Sequence, residues 1–171
     1  MAESDAAVQH LIELGHRHIG LVGSHPEAYP SIPERRQGYM QALTDHGLRP
    51  GYFADARLSN EEAAQSAAVM LERHPEMALF GCNDEVAIAA MRVAKTLGRR
   101  VPDDLSVVGF DDIDLARHVS PALTTMHVDK VGLGRMAVQL LRRRFENPGS
   151  ERARAVLYAH RIARASTAPR R

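Results

Sequence analysis

The chain has 171 residues, of which 44% are hydrophobic and 25% charged, with a net charge of +1. That is enough chain for one well-buried core and short for two. The near-neutral charge offers no basic footprint for nucleic acid. The single cysteine, Cys82, excludes an internal disulfide framework and fits a reducing compartment.

The first residues have neither the basic nor the apolar region of a signal peptide. No apolar run approaches the roughly 20 residues that a membrane helix needs. Ala7, Val8, Leu11 and Ile12 repeat at helical spacing, and Gly15 stands where a helix ends. Ile19 to Val22 reads as a short buried strand. A loop with Pro26, Pro30 and Pro33 follows, Pro33 at the expected first position of a second helix. That helix runs to about His46 and stops at Gly47. A strand near residues 54–58 leads into Ser59-Asn-Glu-Glu62, a capping box opening a third helix, which ends at Pro75.

Met77 to Gly81 is the third expected strand. Asn83 can cap a helix carrying Val86, Ile88, Ala89, Met91 and Val93, and Gly98 closes it. Leu105 to Gly109 is the fourth strand and Leu123 to Val128 the fifth. Strands alternating with helices predict an α/β fold with a doubly wound parallel sheet. After Val128 the rhythm changes. Asp129 can cap a helix with Val131, Met136, Ala137, Leu140 and Leu141 on one side. Asn147-Pro-Gly-Ser150 is a turn, and residues 155–162 read as a last strand before a basic end.

Two strands end with the same punctuation, Phe80-Gly-Cys-Asn-Asp84 and Val108-Gly-Phe-Asp-Asp112. Asn83 and Asp111 are 111 − 83 = 28 positions apart, about one βαβ unit of roughly 30 residues. In open α/β sheets ligands bind beyond the carboxyl ends of the strands. The polar groups expected there are Arg35, Asn83 and Asp111, with Leu58 closing strand two, Phe110 following strand four and Val128 closing strand five. A guanidinium donor, an amide and a carboxylate acceptor suit adjacent hydroxyls such as those of a sugar. Taken singly, Asn83 and Asp111 are equally readable as helix N-caps and Arg35 as a surface charge.

Six strings in chain order carry a resemblance. They are the segments Gly15–Gly23, Arg35–Leu43, Asn83–Met91, Pro102–Asp112, Pro121–Thr125 and Arg164–Pro169. Together they resemble the LacI/GalR transcriptional regulators, from about Ala6 to Pro169. The resemblance implies a periplasmic-binding-protein-like effector domain, in which residues 4–128 form the C-terminal lobe. Residues 129–153 would be the crossover segment of a missing N-terminal lobe, and 154–171 the returning strand and tail.

It also implies a cytoplasmic, dimeric repressor that binds a sugar or small metabolite. Operator DNA would be contacted through a helix-turn-helix headpiece absent from this chain. Arg35, Asn83 and Asp111 match the family's effector-binding positions. Leu58 falls where some members have a stacking aromatic, and Val128 where many have a polar group, so this cleft departs from a typical hexose site. Ile88, Met91 and Val119 match the family's dimer interface, although each is as readily plain core.

Other chemistry has little support. The glycines form neither a dinucleotide fingerprint nor a P-loop, no His-Glu-x-x-His is present, and no cofactor is expected. The nine histidines have no zinc spacing. Asp111, Asp112 and Asp114 invite a Mg²⁺ reading but fit helix-start acids better, so no metal is expected. Arg142-Arg-Arg144 reads as a solvated helix face. The alternatives are a periplasmic sugar-binding protein, and a small α/β enzyme, for which Asp111 is the only candidate nucleophile or base on the rim.

Overall fold

The computed structural model describes residues 2–25, 27, 29–56, 60–75 and 77–170. In chain order the elements are α1 (Ala2–Glu13), β1 (Ile19–Val22), α2 (Ser31–Asp45), β2 (Phe53–Ala54), α3 (Asn60–Arg73), β3 (Ala78–Gly81) and α4 (Asp84–Thr96). There follow β4 (Val107–Val108), α5 (Asp114–His118), β5 (Thr125–His127), α6 (Lys130–Glu146) and β6 (His160–Ile162).

Four strands form a parallel sheet in the order β2-β1-β3-β4. Strand β5 continues it beside β4, since Gly109 N–H donates to the Thr124 carbonyl and Asp111 N–H to that of Met126, both at 2.9 Å. Among the described residues only β6 runs the other way, paired antiparallel to β5. The expected doubly wound α/β sheet is therefore present.

Side chains alternate across the sheet, as the period of two requires. Ile19, Leu21, Ala78, Phe80 and Val108 pack with α1 and α2, while Val22, Leu79 and Val107 pack with α3 and α4. Both faces are buried, so these strands are apolar throughout rather than alternating. Helix α1 closes on Gly15 at φ +90°, with Gly15 N–H bonded to the Ile12 carbonyl and His16 N–H to that of Leu11. This left-handed closure is open to glycine at little steric cost.

The glycines of the repeated punctuation have another use: they make room. A Cβ on Gly81 would stand 2.7 Å from Ala87 N, and one on Gly109 would stand 2.3 Å from an Asp84 carboxylate oxygen. The bare backbone lets the first turn of α4 lie against the ends of β3 and β4.

Several boundaries differ from expectation. Helix α2 starts at Ser31 with Pro30 as its N-cap, so Pro33 is its third residue rather than its first. Strand β2 is Phe53–Ala54, earlier than residues 54–58, because only Phe53 and Ala54 find partners on β1. Leu58 and Ser59 lie outside the described residues. Strand β4 is shorter than Leu105 to Gly109. Strand β6 holds three residues where eight were expected, since pairing with the short β5 supports no more. Helix α5 was not anticipated. Helix α6 is capped by Asp129, whose carboxylate accepts from Gly132 N–H at 2.8 Å, but none of its residues is buried.

Candidate functional site

The carboxyl ends of β1, β3 and β4 converge on one rim, and the polar groups there arrive on separate elements. Arg35 comes from the second turn of α2. One of its nitrogens donates to the Cys82 carbonyl just past β3, and Nη2 donates to the Asp111 carboxylate at 2.9 Å. Its guanidinium lies 3.9 Å above the centre of the Phe110 ring. Three contacts fix the orientation of a side chain whose planar fork suits two-pronged recognition.

Asp111 and Asp112 follow β4 with φ of 107° and 49°, a left-handed region that costs a non-glycine residue on the order of 1–3 kcal/mol. The loop is clamped from beneath. Asp112 turns inward, bonded to Arg164 at 2.6 Å and His127 Nδ1 at 2.8 Å. Burial disfavours its charge, but the Arg164 and His127 contacts outweigh that and hold its carboxyl below the ordinary value.

The buried Asp84 carboxylate accepts from Ile113 N–H at 2.8 Å and from the Thr125 hydroxyl at 2.5 Å. Burial, only partly offset by those two bonds, pushes its pKa up to about 6, and the neighbouring Asp111 and Asp112 charges push the same way. The Lys130 ammonium donates to the Asp111 main-chain carbonyl.

Above the loop lies a cleft of about 300 Å³. Arg35, Phe110, Asp111 and Val128 line it, with Ser31 and Glu34 of α2, Leu133 of α6 and residues 154–157. Four of the expected rim residues thus share one mouth. Asn83 is not in its wall. Its Oδ1 accepts from Val86 N–H at 2.8 Å and caps α4, which is the capping role that spacing also allowed. Leu58 lies outside the described residues.

Asp111 and Asp112 face apart, and Asp114 is exposed and paired with Arg117 at 3.4 Å. Among the described residues no three His, Cys, Asp or Glu side chains are grouped to hold a metal. Cys82 is fully buried, and burial pushes its thiol up to about 12, so it is a packing residue and not a nucleophile.

Sequence reading missed the anchors. In Asn83-Asp84 and Asp111-Asp112 alike, the second residue is an acid that points inward and is nearly sealed from solvent. The repeated punctuation was the available signal. A further cluster also went unread. Arg36 bonds Asp55 at 2.6 Å and the Ser24 carbonyl at 3.0 Å, stacked over Phe53, and joins α2 to the ends of β1 and β2.

A second groove, of about 380 Å³, gathers Ile88, Met91 and Val119 with Val101 and Pro121. Arg92, Lys95 and Arg100 also line it, and it shares no lining residue with the Arg35 cleft.

A parallel sheet between two helical layers, with a polar cleft beyond its strand ends, defines a ligand-binding lobe of the periplasmic-binding-protein type. Residues 8–167 match the periplasmic binding protein-like domain, and the chain belongs to that family. Its relatives there are transcriptional repressors of the LacI kind, which bears out the resemblance seen in the sequence.

The ribose operon repressor of Haemophilus influenzae is 34% identical over 155 residues, 88% of this chain and 46% of that protein. Among solved structures, the transcriptional regulator CelR in complex with cellobiose superposes with a TM-score of 0.89 at 33% identity. It covers 95% of this chain, which spans 50% of CelR. A dimeric Lac repressor gives a TM-score of 0.91 at 28% identity over 98% of this chain and 62% of its own. The chain spans less than half the length of the curated relatives it matches.

Proposed function

We propose that this chain is the effector-sensing part of a cytoplasmic transcriptional repressor, and that the Arg35 cleft takes a sugar or similar small metabolite. The observation that carries the reading is the preorganised pair, Arg35 bonded to Asp111 at 2.9 Å and stacked on Phe110, at the mouth of the cleft. Arg35 supplies donors, Asp111 an acceptor and Phe110 and Val128 apolar walls, a set that suits hydroxyls on a small carbon frame. A cellobiose-bound relative of the same fold supports a saccharide.

Residues 4–128 are assigned to one lobe of a two-lobed sensor, 129–153 to a crossover toward the other lobe, and 154–171 to the returning strand and tail. The fully unburied α6 supports that crossover. The groove of Ile88, Met91 and Val119 is assigned to dimerisation, supported by the dimeric Lac repressor. Operator contact belongs to a separate headpiece. An effector acts by binding one state of the dimer better than another, a coupling typically of about 1–3 kcal/mol. Enzyme chemistry at Asp111 is not favoured, because the relatives are repressors.

The test is a thermal-shift screen of pentoses, hexoses and nucleobases on the folded chain. A sugar that stabilises the wild type but not Arg35→Ala is expected. An equal shift in both would remove Arg35 from the site.

A further inference from the structure

We propose that the effector carries an anionic group, a phosphate or a carboxylate on a small polyol, held by Lys130 and Arg154. This rests on the reading of the Arg35 cleft as the effector site and narrows the class of ligand it takes.

The argument is one of charge. Arg35 and Asp111 neutralise each other across 2.9 Å, so together they present hydrogen-bonding groups without net charge. Lys130 is not in the cleft wall but adjoins it, donating to a neutral acceptor, the main-chain carbonyl of the wall residue Asp111. Arg154 lies in the wall, and neither it nor Lys130 forms an ion pair among the described residues. The opposing charge is Glu34, exposed on the first turn of α2. Within the wall Arg154 balances Glu34 as Arg35 balances Asp111, so Lys130 beside Asp111 leaves the mouth with one net positive charge.

The remaining walls, Val128, Leu133, Val156 and Leu157, are apolar and take a carbon face rather than hydroxyls, which would lose water there without gaining a partner. A ligand with one oxyanion between Lys130 and Arg154, a few hydroxyls on Arg35 and Asp111, and a carbon face on these side chains meets every wall. Charge-assisted hydrogen bonds are roughly twice as strong as neutral ones, so the oxyanion end should dominate affinity. Both cations are exposed, so their contribution should weaken with salt.

The test is calorimetric titration of the folded chain with matched probes: glucose against glucose 6-phosphate and gluconate, and ribose against ribose 5-phosphate, at low and high salt. At least one charged probe is expected to bind about tenfold or more tightly than its neutral parent, with the advantage shrinking at high salt. Phosphate against carboxylate probes distinguish the two oxyanions.

In Lys130→Gln and Arg154→Gln the advantage should fall toward unity while any affinity for the neutral parent persists. Both positions are exposed, so folding should be unaffected. Equal or tighter binding of the neutral parents overturns the inference and leaves the sugar reading standing. So does an advantage that survives both substitutions. If no probe of either kind binds, both the inference and the sugar reading fail.

Discussion

Asp111 and Asp112 are adjacent in the chain and serve opposite sides of it. Asp111 faces the cleft and pairs with Arg35, while Asp112 faces the interior and pairs with Arg164 and His127. Consecutive left-handed residues make the division possible, and the inward contacts hold the outward carboxylate in place.

The two aspartates should therefore separate in stability measurements. Asp112→Ala leaves a largely buried Arg164 without its carboxylate, and breaking such a pair typically costs about 3–5 kcal/mol. Asp111→Ala unpairs the more accessible partner of Arg35 and should cost about 1 kcal/mol. Urea denaturation of the two variants checks the order; equal losses would contradict the inward clamp.

Asp84 should give a pH signature. Its pKa lies at about 6 in the folded chain against an ordinary value of 3.8, through burial first. Between about pH 4 and 6 the folded state then holds more protons than the unfolded state. Stability from this group falls as pH rises through that window, and the full penalty stands above it. The displacement corresponds to on the order of 2–3 kcal/mol. Asp84→Asn, which keeps an acceptor for Ile113 N–H, should gain stability over wild type as pH rises from 4 to 7. Melting curves of both proteins across that range provide the check, and a constant difference would refute it.

Gly81→Ala should be costly despite its small size. The new methyl would meet the backbone of Ala87 at 2.7–2.8 Å, where no flexible side chain can yield. Overpacking of this kind costs typically about 1–3 kcal/mol. A melting temperature unchanged from wild type would contradict the close approach of α4.

Helix α6 should make the isolated 171-residue chain associate. Val131, Val138 and Phe145 recur every seven residues with Leu141 between, and all four are exposed. Light scattering at concentrations on the order of tens of micromolar should detect self-association. Phe145→Glu with Leu141→Glu should reduce it. A monomer at those concentrations would count against this exposed face as a contact surface.

Much of the lobe was legible because its signals are local. Strand β1 is bounded by Ile19 and Val22 as expected, and Gly15 and Asn83 mark helix ends through their own backbone or side-chain geometry. Arg35, Phe110, Asp111 and Val128 could be placed on one rim because parallel topology carries strand ends to the same side. What was not legible depends on partners distant in the chain. Arg164 meets Asp112 across 52 positions, and Asp84 meets Thr125 across 41. Strand β2 was misplaced because its two residues are fixed by β1 and not by their own apolar pattern.

The central claim is that a small polar ligand sits where Arg35 and Asp111 meet. A crystal structure of the chain soaked with the sugar that shifts its melting temperature most tests this directly. The account predicts ligand oxygens within hydrogen-bond distance of both the Arg35 guanidinium and the Asp111 carboxylate, with Phe110 against the carbon frame. A ligand seated in the groove of Ile88 and Val119, with the Arg35 cleft empty, would contradict it.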